Sequence, residues 1–379
     1  MELVDLSTSY GNLYAPAFSV KLAGRDMVRG LEVAVSQVEV ELVLGSASTF
    51  SFTLSDCYSF KDHAFQTGRG DDLLKLLTFG AEVEICIGYG DARTTPTAVL
   101  GIVTNISTSF PEAGSPELVV SGYDHGYPLS LGTNTDSWRD SRDSDVVQKI
   151  ATFHKLNAAI DRTAEKHPQI EQKEISDWEF MKKLAERNSD DDHMNHFELY
   201  VDPGGTVKRP TLHFGKPQMR LNPVVRLIWG EGLLSFRPEA NLAGQVSKVE
   251  VFGWDVKTKK PIIGRASAND SGPQAKSVSQ LLTALVNAPG NEPTLRPRQP
   301  VFTQAEADQR AKAALGEKTK KFLTGEAETI GLPEIRPDRT VKIDGLGVAF
   351  SKTYYIEQAT HQVDGSGYRT KFKVRATTL

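Results

Sequence analysis

The sequence predicts a mainly β protein with an α/β connector: two small β-barrel domains in pseudo-repeat, with a helical insertion between them. Three observations carry the expectation. Apolar residues alternate with a period of two through the first 125 residues and again from about residue 224. From about residue 140 the period lengthens to roughly 3.6. The two ends also share a rhythm: Ile102 to Val119 and Tyr355 to Phe372 both span 17 residues, and Gly114 and Gly367 lie 12 beyond their respective starts. A duplicated barrel would produce this echo, and so would two unrelated hairpins with similar turns.

Along the chain, strands are expected at 18–22, 31–44, 50–54, 83–87, 99–110 and 118–122, rich in Val and Phe and bounded by Gly, Ser, Asp and Pro. Short strands with such turns favour a barrel or sandwich over βαβ units. Val146, Val147, Ile150, Phe153 and Leu156 share one helix face, with Ser144 or Asp145 placed to cap its start. Ser176 and Glu179 match a capping box for a helix that runs to Arg187 or Asn188 and stops in the polar cluster 188–192. Residues 196–201 and 211–214 read as strands around a turn at 203–205. Strands resume at 224–229, 233–236 and 244–252, while 265–300 reads as an irregular insertion around a short helix at 279–286. Thr303 and Glu306 form a second capping box, opening an Ala-rich helix to about residue 321, and the final 40 residues are strands. The expected division is a first barrel over 1–135, a helical and mixed connector over 136–210, and a second barrel over 211–379 that carries the 265–300 insertion and the 303–321 helix.

Composition excludes several classes. The 379 residues hold 39% hydrophobic and 24% charged side chains, a globular profile too long for one typical domain. The formal charge of −4 has the wrong sign for a protein whose main work is neutralising nucleic-acid phosphates, so no stable nucleic-acid complex is expected. Cys57 and Cys86 lie in different strand-like segments and make no CxxC pair, and are expected as buried thiols. The first residues lack a basic region followed by an apolar one, and no run approaches 18 apolar residues; neither an export signal nor a membrane span is expected.

The motifs that could carry chemistry are weak. Asp190, Asp191, Asp192, His193 and His196 are the densest set of metal-ligand types, but a hydrated connector after a helix accounts for them better, and no HExxH or zinc-finger spacing occurs. The glycines of 68–72 and 88–91 read as turns, without a phosphate-loop or dinucleotide pattern. Ser121, Asp124 and His125 are close in sequence without a GxSxG elbow. Glu82 with Glu84, and Asp71 with Asp72, invite a glycosidase reading, yet paired catalytic carboxylates need surroundings that separate their pKa values, and Glu82 and Glu84 fit the wet face of a strand. Lys257–Lys260 and Lys318–Lys321 read as solvated basic patches. Trp229, Tyr354 and Tyr355 read as core aromatics, with an interface as the alternative. No catalytic, cofactor-binding or metal-ligating residue is assigned, and no cofactor is expected.

In combination the landmarks are more specific. Residues 79–89, Gly101-Ile-Val-Thr and Leu118-Val-Val-Ser-Gly-Tyr-Asp124, then the 145–150 helix and the 171–185 segment, then 331–336, 341–347, 350–355, His361 and 367–372 follow one another in an order that resembles the late control protein D family of contractile phage tails, whose members are similar to the hub portion of type VI secretion spike proteins. The resemblance implies a baseplate hub: a homotrimer of two-barrel subunits forming a ring that joins a sixfold tail tube to a threefold spike. Its implied partners are a tail tube or tube-initiator protein, a separate trimeric spike protein and baseplate wedge proteins. The separate spike is expected because no OB-fold and β-helix follow the closing barrel. The implied setting is a virion tail baseplate or extracellular tail-like particle, assembled in the bacterial cytoplasm. The alternative is a glycan-binding or glycan-hydrolysing tail component.

Overall fold

The computed structural model describes residues 1–188, 196–204, 208–219, 221–255, 258–267, 278–286, 293–297 and 301–378. Asp190 to His193, Lys257 and most of the 265–300 insertion lie outside the described residues.

The chain opens on a helix, α1 (Leu3–Ser9), which the sequence pattern does not announce. The Asp5 carboxylate accepts from the Glu2 backbone N–H at its start, and Leu6 is its buried residue. Six strands follow: β1 (Pro16–Leu22), β2 (Ala34–Val43), β3 (Thr49–Ser55), β4 (Glu82–Tyr89), β5 (Thr97–Ser109) and β6 (Glu117–Asp124). They form an antiparallel sheet in the order β1-β4-β5-β6-β3-β2. Alternation places Val38, Val40 and Leu42 of β2 and Phe50, Phe52 and Leu54 of β3 in the core, with Glu39, Glu41, Thr49 and Ser51 on the opposite face. A Cβ on Gly122 would stand 1.9 Å from the Ile102 carbonyl and 2.7 Å from the Phe50 ring, so glycine lets that ring lie on the sheet.

The middle of the chain packs two helices on short sheets: β7 (Asn134–Ser141), α2 (Asp143–Phe153), β8 (Asn157–Ile160), β9 (His167–Ile175), α3 (Asp177–Arg187), β10 (Glu198–Asp202) and β11 (Thr211–Gly215). Val146, Val147 and Ile150 are buried as expected, together with Trp178, Phe180 and Leu184. The start of α2 differs from expectation. Arg142 is its N-cap residue, and the Asp145 side chain accepts from the Arg142 N–H at 3.2 Å. Ser144 lies inside the helix and is buried. Ser176 caps α3 as predicted, accepting from the Glu179 N–H at 3.2 Å.

The remainder contains β12 (Arg226–Trp229), β13 (Gly232–Ala240), β14 (Lys248–Asp255), β15 (Lys260–Ser267), α4 (Val278–Val286), α5 (Gln304–Thr319), β16 (Leu323–Ile330), β17 (Thr340–Asp344), β18 (Lys352–Asp364) and β19 (Gly367–Ala376). The order β18-β17-β12-β13-β16-β19 closes because β19 pairs back on β18, giving a six-stranded barrel with no free end to its ladder. Residues 244–247 precede β14 and are not part of it. The β14–β15 hairpin packs on α5 through Val249, Val251, Ala307, Ala311 and Leu315. Thr303 caps α5, accepting from the Glu306 N–H at 3.1 Å, while the Glu306 carboxylate returns to the Phe302 N–H. Thr303→Ala is expected to cost about 1 kcal/mol, read as a lower thermal midpoint.

One junction unites the two large sheets. Val38 to Val43 of β2 pair antiparallel with Val363 to Gln358 of β18, so the first six strands and the barrel share one ladder. The fold is mainly β with helical insertions and one closed barrel. Both cysteines are buried free thiols, although Cys57 lies just beyond β3 and not within a strand.

Candidate functional site

Three joints lock the parts together, and one broad polar face runs across them. At the first joint Asp338, itself buried, accepts from the Tyr200 hydroxyl at 2.9 Å, the Tyr355 hydroxyl at 2.8 Å and the Gln218 N–H at 2.7 Å. Burial raises the Asp338 carboxyl against these bonds and drives the Tyr200 and Tyr355 hydroxyls upward, so the hydroxyls stay protonated donors. At the second, Glu198 of β10 meets Arg375 at 3.0 Å and Lys320 at 3.3 Å, and Arg375 also reaches Glu357 at 2.8 Å. The Arg375 guanidinium lies over the Tyr355 ring, 4.6 Å from its centre. At the third, the Tyr89 hydroxyl donates to the Gly331 carbonyl at 2.8 Å, and Arg336 donates to the carbonyls of Thr97 and Ala98 at 3.2 and 3.1 Å.

The polar face lies opposite the β-sheet cores. One register row crosses β3, β2, β18, β19, β16 and β13 as Thr49, Glu41, Thr360, Lys371, Glu328 and Ser235. Asn105, Ser121, Ser51, Glu39, Gln362 and Arg369 form another, and Gln358, Lys373, Glu326 and Arg237 a third. Glu39, Glu41, Glu326 and Glu328 balance Arg237, Arg369, Lys371 and Lys373. Arg369 pairs with Glu328 at 3.0 Å, and Gln358 bonds Glu41 across the junction. A shallow hollow of about 560 Å³ sits among Ser235, Arg237, Glu326, Thr360 and Lys371. Such a face is hydrated and locally neutral, without the contiguous apolar surface that makes proteins adhere.

The sequence motifs end in ordinary places. Ser121 belongs to the polar face, whereas Asp124 is buried and accepts from the Ser48 and Gly126 N–H groups at 2.8 and 2.7 Å; no bond links Ser121, Asp124 and His125 among the described residues. Burial holds Asp124 up at about 6. Glu84 does not behave as a catalytic acid: burial opposes its charge, but Lys208, Lys21 and Thr97 prevail and hold it at about 2. Asp72 caps a single helical turn at its Leu74 N–H. His196 accepts or donates within a cluster of Glu317, Lys320 and the Phe197 carbonyl. Burial opposes charge on Glu317, but its bond to His196 and the nearby Lys320 win, holding it at about 2. Among the described residues no three His, Cys, Asp or Glu side chains are placed to hold a metal ion.

Two expectations need correction. Lys320 is not a solvated surface charge: it is buried against Glu198 because a carboxylate and the end of α5 receive it, and desolvation lowers its pKa. Trp229 is 63% exposed at the mouth of the barrel, beyond the buried Leu227, while Tyr354 and Tyr355 are core residues. The joints were missed because Glu198, Asp338 and Arg375 are far apart in sequence and no local spacing announces them.

The profile of the Alg8 N-terminal domain matches residues 15–365. The chain belongs to the Alg8 N-terminal domain family. No curated protein matches this sequence. As a fold, this Alg8 N-terminal domain chain is similar to the 43 kDa tail protein of prophage MuSo2 from Shewanella oneidensis, at 13% identity over 95% of this chain and 98% of that one, with a TM-score of 0.67. It is equally similar to a tail protein from Neisseria meningitidis MC58, at 15% identity over 96% and 97% of the two chains and a TM-score of 0.67. An Escherichia coli component of the type VI secretion system superposes at 11% identity over 94% of this chain and 76% of that one, with a TM-score of 0.55. The Alg8 N-terminal domain chain therefore has the fold of the tail and spike proteins that its sequence resembles. Among its described residues no helix is long and apolar enough to cross a membrane.

Proposed function

We propose that the chain is the structural baseplate hub of a contractile phage tail or tail-like injection system, forming a trimeric ring that joins the tail tube to a separate central spike and adapts sixfold to threefold symmetry. Its partners in this reading are two further copies, a tail tube or tube-initiator protein, a trimeric spike and the surrounding wedge proteins. The role is mechanical and non-enzymatic, carried out in a tail baseplate or tail-like particle assembled in the bacterial cytoplasm. The units are 1–135, 136–210 and 211–379, and the first and last are read as two barrels in pseudo-repeat.

The observation that carries the reading is a shared register. Glu82 pairs with Ile102 in the first sheet, and Thr340 with Tyr355 in the barrel. Each long strand then bulges against its hairpin partner, between Val103 and Asn105 in one and between Ile356 and Gln358 in the other, 253 residues later. Bulges also recur between Val35 and Gln37 of β2 and between Leu233 and Ser235 of β13, 198 residues apart. The pairs Glu41–Thr49 and Glu239–Thr324 follow these offsets, as do Leu54–Leu118 and Thr329–Thr370. β12 departs from the pattern by running parallel to β17, where β1 is antiparallel to β4. Two similar units per chain supply six positions in three copies, which is what a joint between sixfold and threefold objects requires. The balanced polar face suits a lumen wall, where sticky contact with passing material would be harmful.

Native mass measurement of the purified chain is expected to give three copies, and averaged images down the axis a ring of six similar lobes. A monomer that stays a monomer with its tube and spike partners present would overturn the reading.

A further inference from the structure

Two strand edges in this molecule have the form of a junction that is used elsewhere in it. β18 leaves β17 at Ile356, whose carbonyl accepts from the Asp338 N–H at 3.1 Å and whose N–H donates to the Arg339 carbonyl at 2.9 Å; its continuation, residues 358–363, is then taken up by β2. β5 leaves β4 in the same manner at Val103, with the Gly80 N–H at 2.8 Å and the Ala81 carbonyl at 3.0 Å. Its continuation, residues 105–109, pairs with β6 on one side and, among the described residues, with no strand on the other. The counterpart of β2 is β13. From Ser235 to Ala240 it pairs with β16 on one side and, among the described residues, with no strand on the other, since β12 engages only Gly232 and Leu233.

Resting on the hub reading, we propose that these two edges meet between copies: residues 105–110 of one chain pair antiparallel with residues 236–241 of the next, in the register of the internal β2–β18 junction. The offsets then place Ile106 opposite Ala240, Ser107 opposite Glu239, Ser109 opposite Arg237 and Phe110 opposite Phe236. The chemistry matches the internal junction pair by pair. There Ala359 faces Leu42, Thr360 faces Glu41, Gln362 faces Glu39 and Val363 faces Val38. A small residue meets a larger aliphatic one, a hydroxyl meets a glutamate, a polar side chain meets a charge, and the last pair is apolar. Phe110, 62% exposed in the single chain, gains an apolar partner. The polar rows that end at Asn105 on one edge and at Arg237 on the other become continuous around the ring. The contact is head-to-tail, as a closed ring requires.

Pro238 gives this junction a character of its own. The Leu44 N–H donates to the Glu357 carbonyl at 3.2 Å, so by alternation Leu42, Val40 and Val38 direct their backbone groups toward β18. Pro238 holds the position of Val40, and its missing N–H therefore falls on the free edge and not in the β13–β16 ladder. The proline keeps the unassembled edge from pairing indiscriminately, and leaves the junction between copies one hydrogen bond short of the internal one.

Cysteine pairing tests the register. Ser107 and Glu239 would face each other with Cα atoms about 4.5 Å apart, within reach of a disulfide, and the natural cysteines are buried. Mixing Ser107→Cys with Glu239→Cys protein under mild oxidation is expected to give a linked dimer that neither variant gives alone, and the double variant a linked trimer. Ser107→Cys with Arg237→Cys, shifted by two residues, is expected to link at least about tenfold less. A trimer by native mass in which the shifted pair links as well, or neither links, would overturn the pairing and leave the hub reading standing; absence of any ring would overturn both. Independently, Pro238→Val supplies the missing donor and is expected to slow ring dissociation roughly 2- to 10-fold, whereas Thr108→Pro, opposite it, is expected to speed it by a comparable or larger factor with the monomer's circular dichroism unchanged. Dissociation unmoved by both would count against the pairing.

Discussion

Arg375→Ala is expected to lower the unfolding free energy by about 3–5 kcal/mol, the range for breaking a buried charge network by removing one partner. The guanidinium is almost wholly buried, and it serves Glu198 and Glu357 while covering the Tyr355 ring. Its removal leaves two carboxylates sharing Lys320, in a place where desolvation already raises the Glu357 carboxyl. Chemical denaturation followed by tryptophan fluorescence should show the loss. Adding Glu198→Gln to Arg375→Ala should recover part of it, because the orphaned charge goes too. A loss below about 1 kcal/mol would mean that water replaces the guanidinium and that this joint does not hold β10 to the barrel.

The second large effect is acid sensitivity centred on His361. This side chain is buried on β18, opposite Val40 in the junction, and bonds the Tyr368 hydroxyl at 2.8 Å and the Ile335 carbonyl at 3.0 Å. Burial first, and the Arg336 guanidinium second, push it down from 6.5 to about 3. The folded chain therefore keeps His361 neutral, while the unfolded chain protonates it below about pH 6.5. Its contribution is complete above that pH and is lost as pH falls toward 3, with about 2–3 kcal/mol gone at pH 4.5. Thermal midpoints between pH 7 and 4.5 should fall accordingly, and His361→Asn should flatten that slope while being less stable at pH 7. An unchanged slope in the variant would place the acid sensitivity elsewhere.

The sequence was most informative where structure is local. The caps at Ser176 and Thr303, the helix face of Val146, Val147 and Ile150, and the alternation in β2 and β3 were all legible, because each is decided within a few residues. What depends on distant partners was not. Helix α1 has a short, mixed pattern and is held by Leu6 entering the barrel core, a contact that no local signal announces. Lys318–Lys321 reads as a wet patch, yet Lys320 turns inward because Glu198, 122 residues earlier, waits there. The polar face was foreseen only as a property of strands, and it took the β2–β18 junction to make one surface of it. The 17-residue echo pointed to the right hairpins, whereas the closed barrel became visible only once β19 was seen to return to β18.

That junction also sets a timetable for synthesis. β2 and β18 are separated by more than 300 residues along the chain. At about 5–20 residues per second, β2 leaves the ribosome roughly 15–60 s before its partner. During that interval the nascent first sheet presents a long unpaired edge, and the loop to be closed is nearly the whole polypeptide. Release of chains truncated before β18 would leave that edge permanently open, so such fragments should self-associate through it even though their own core residues are all present.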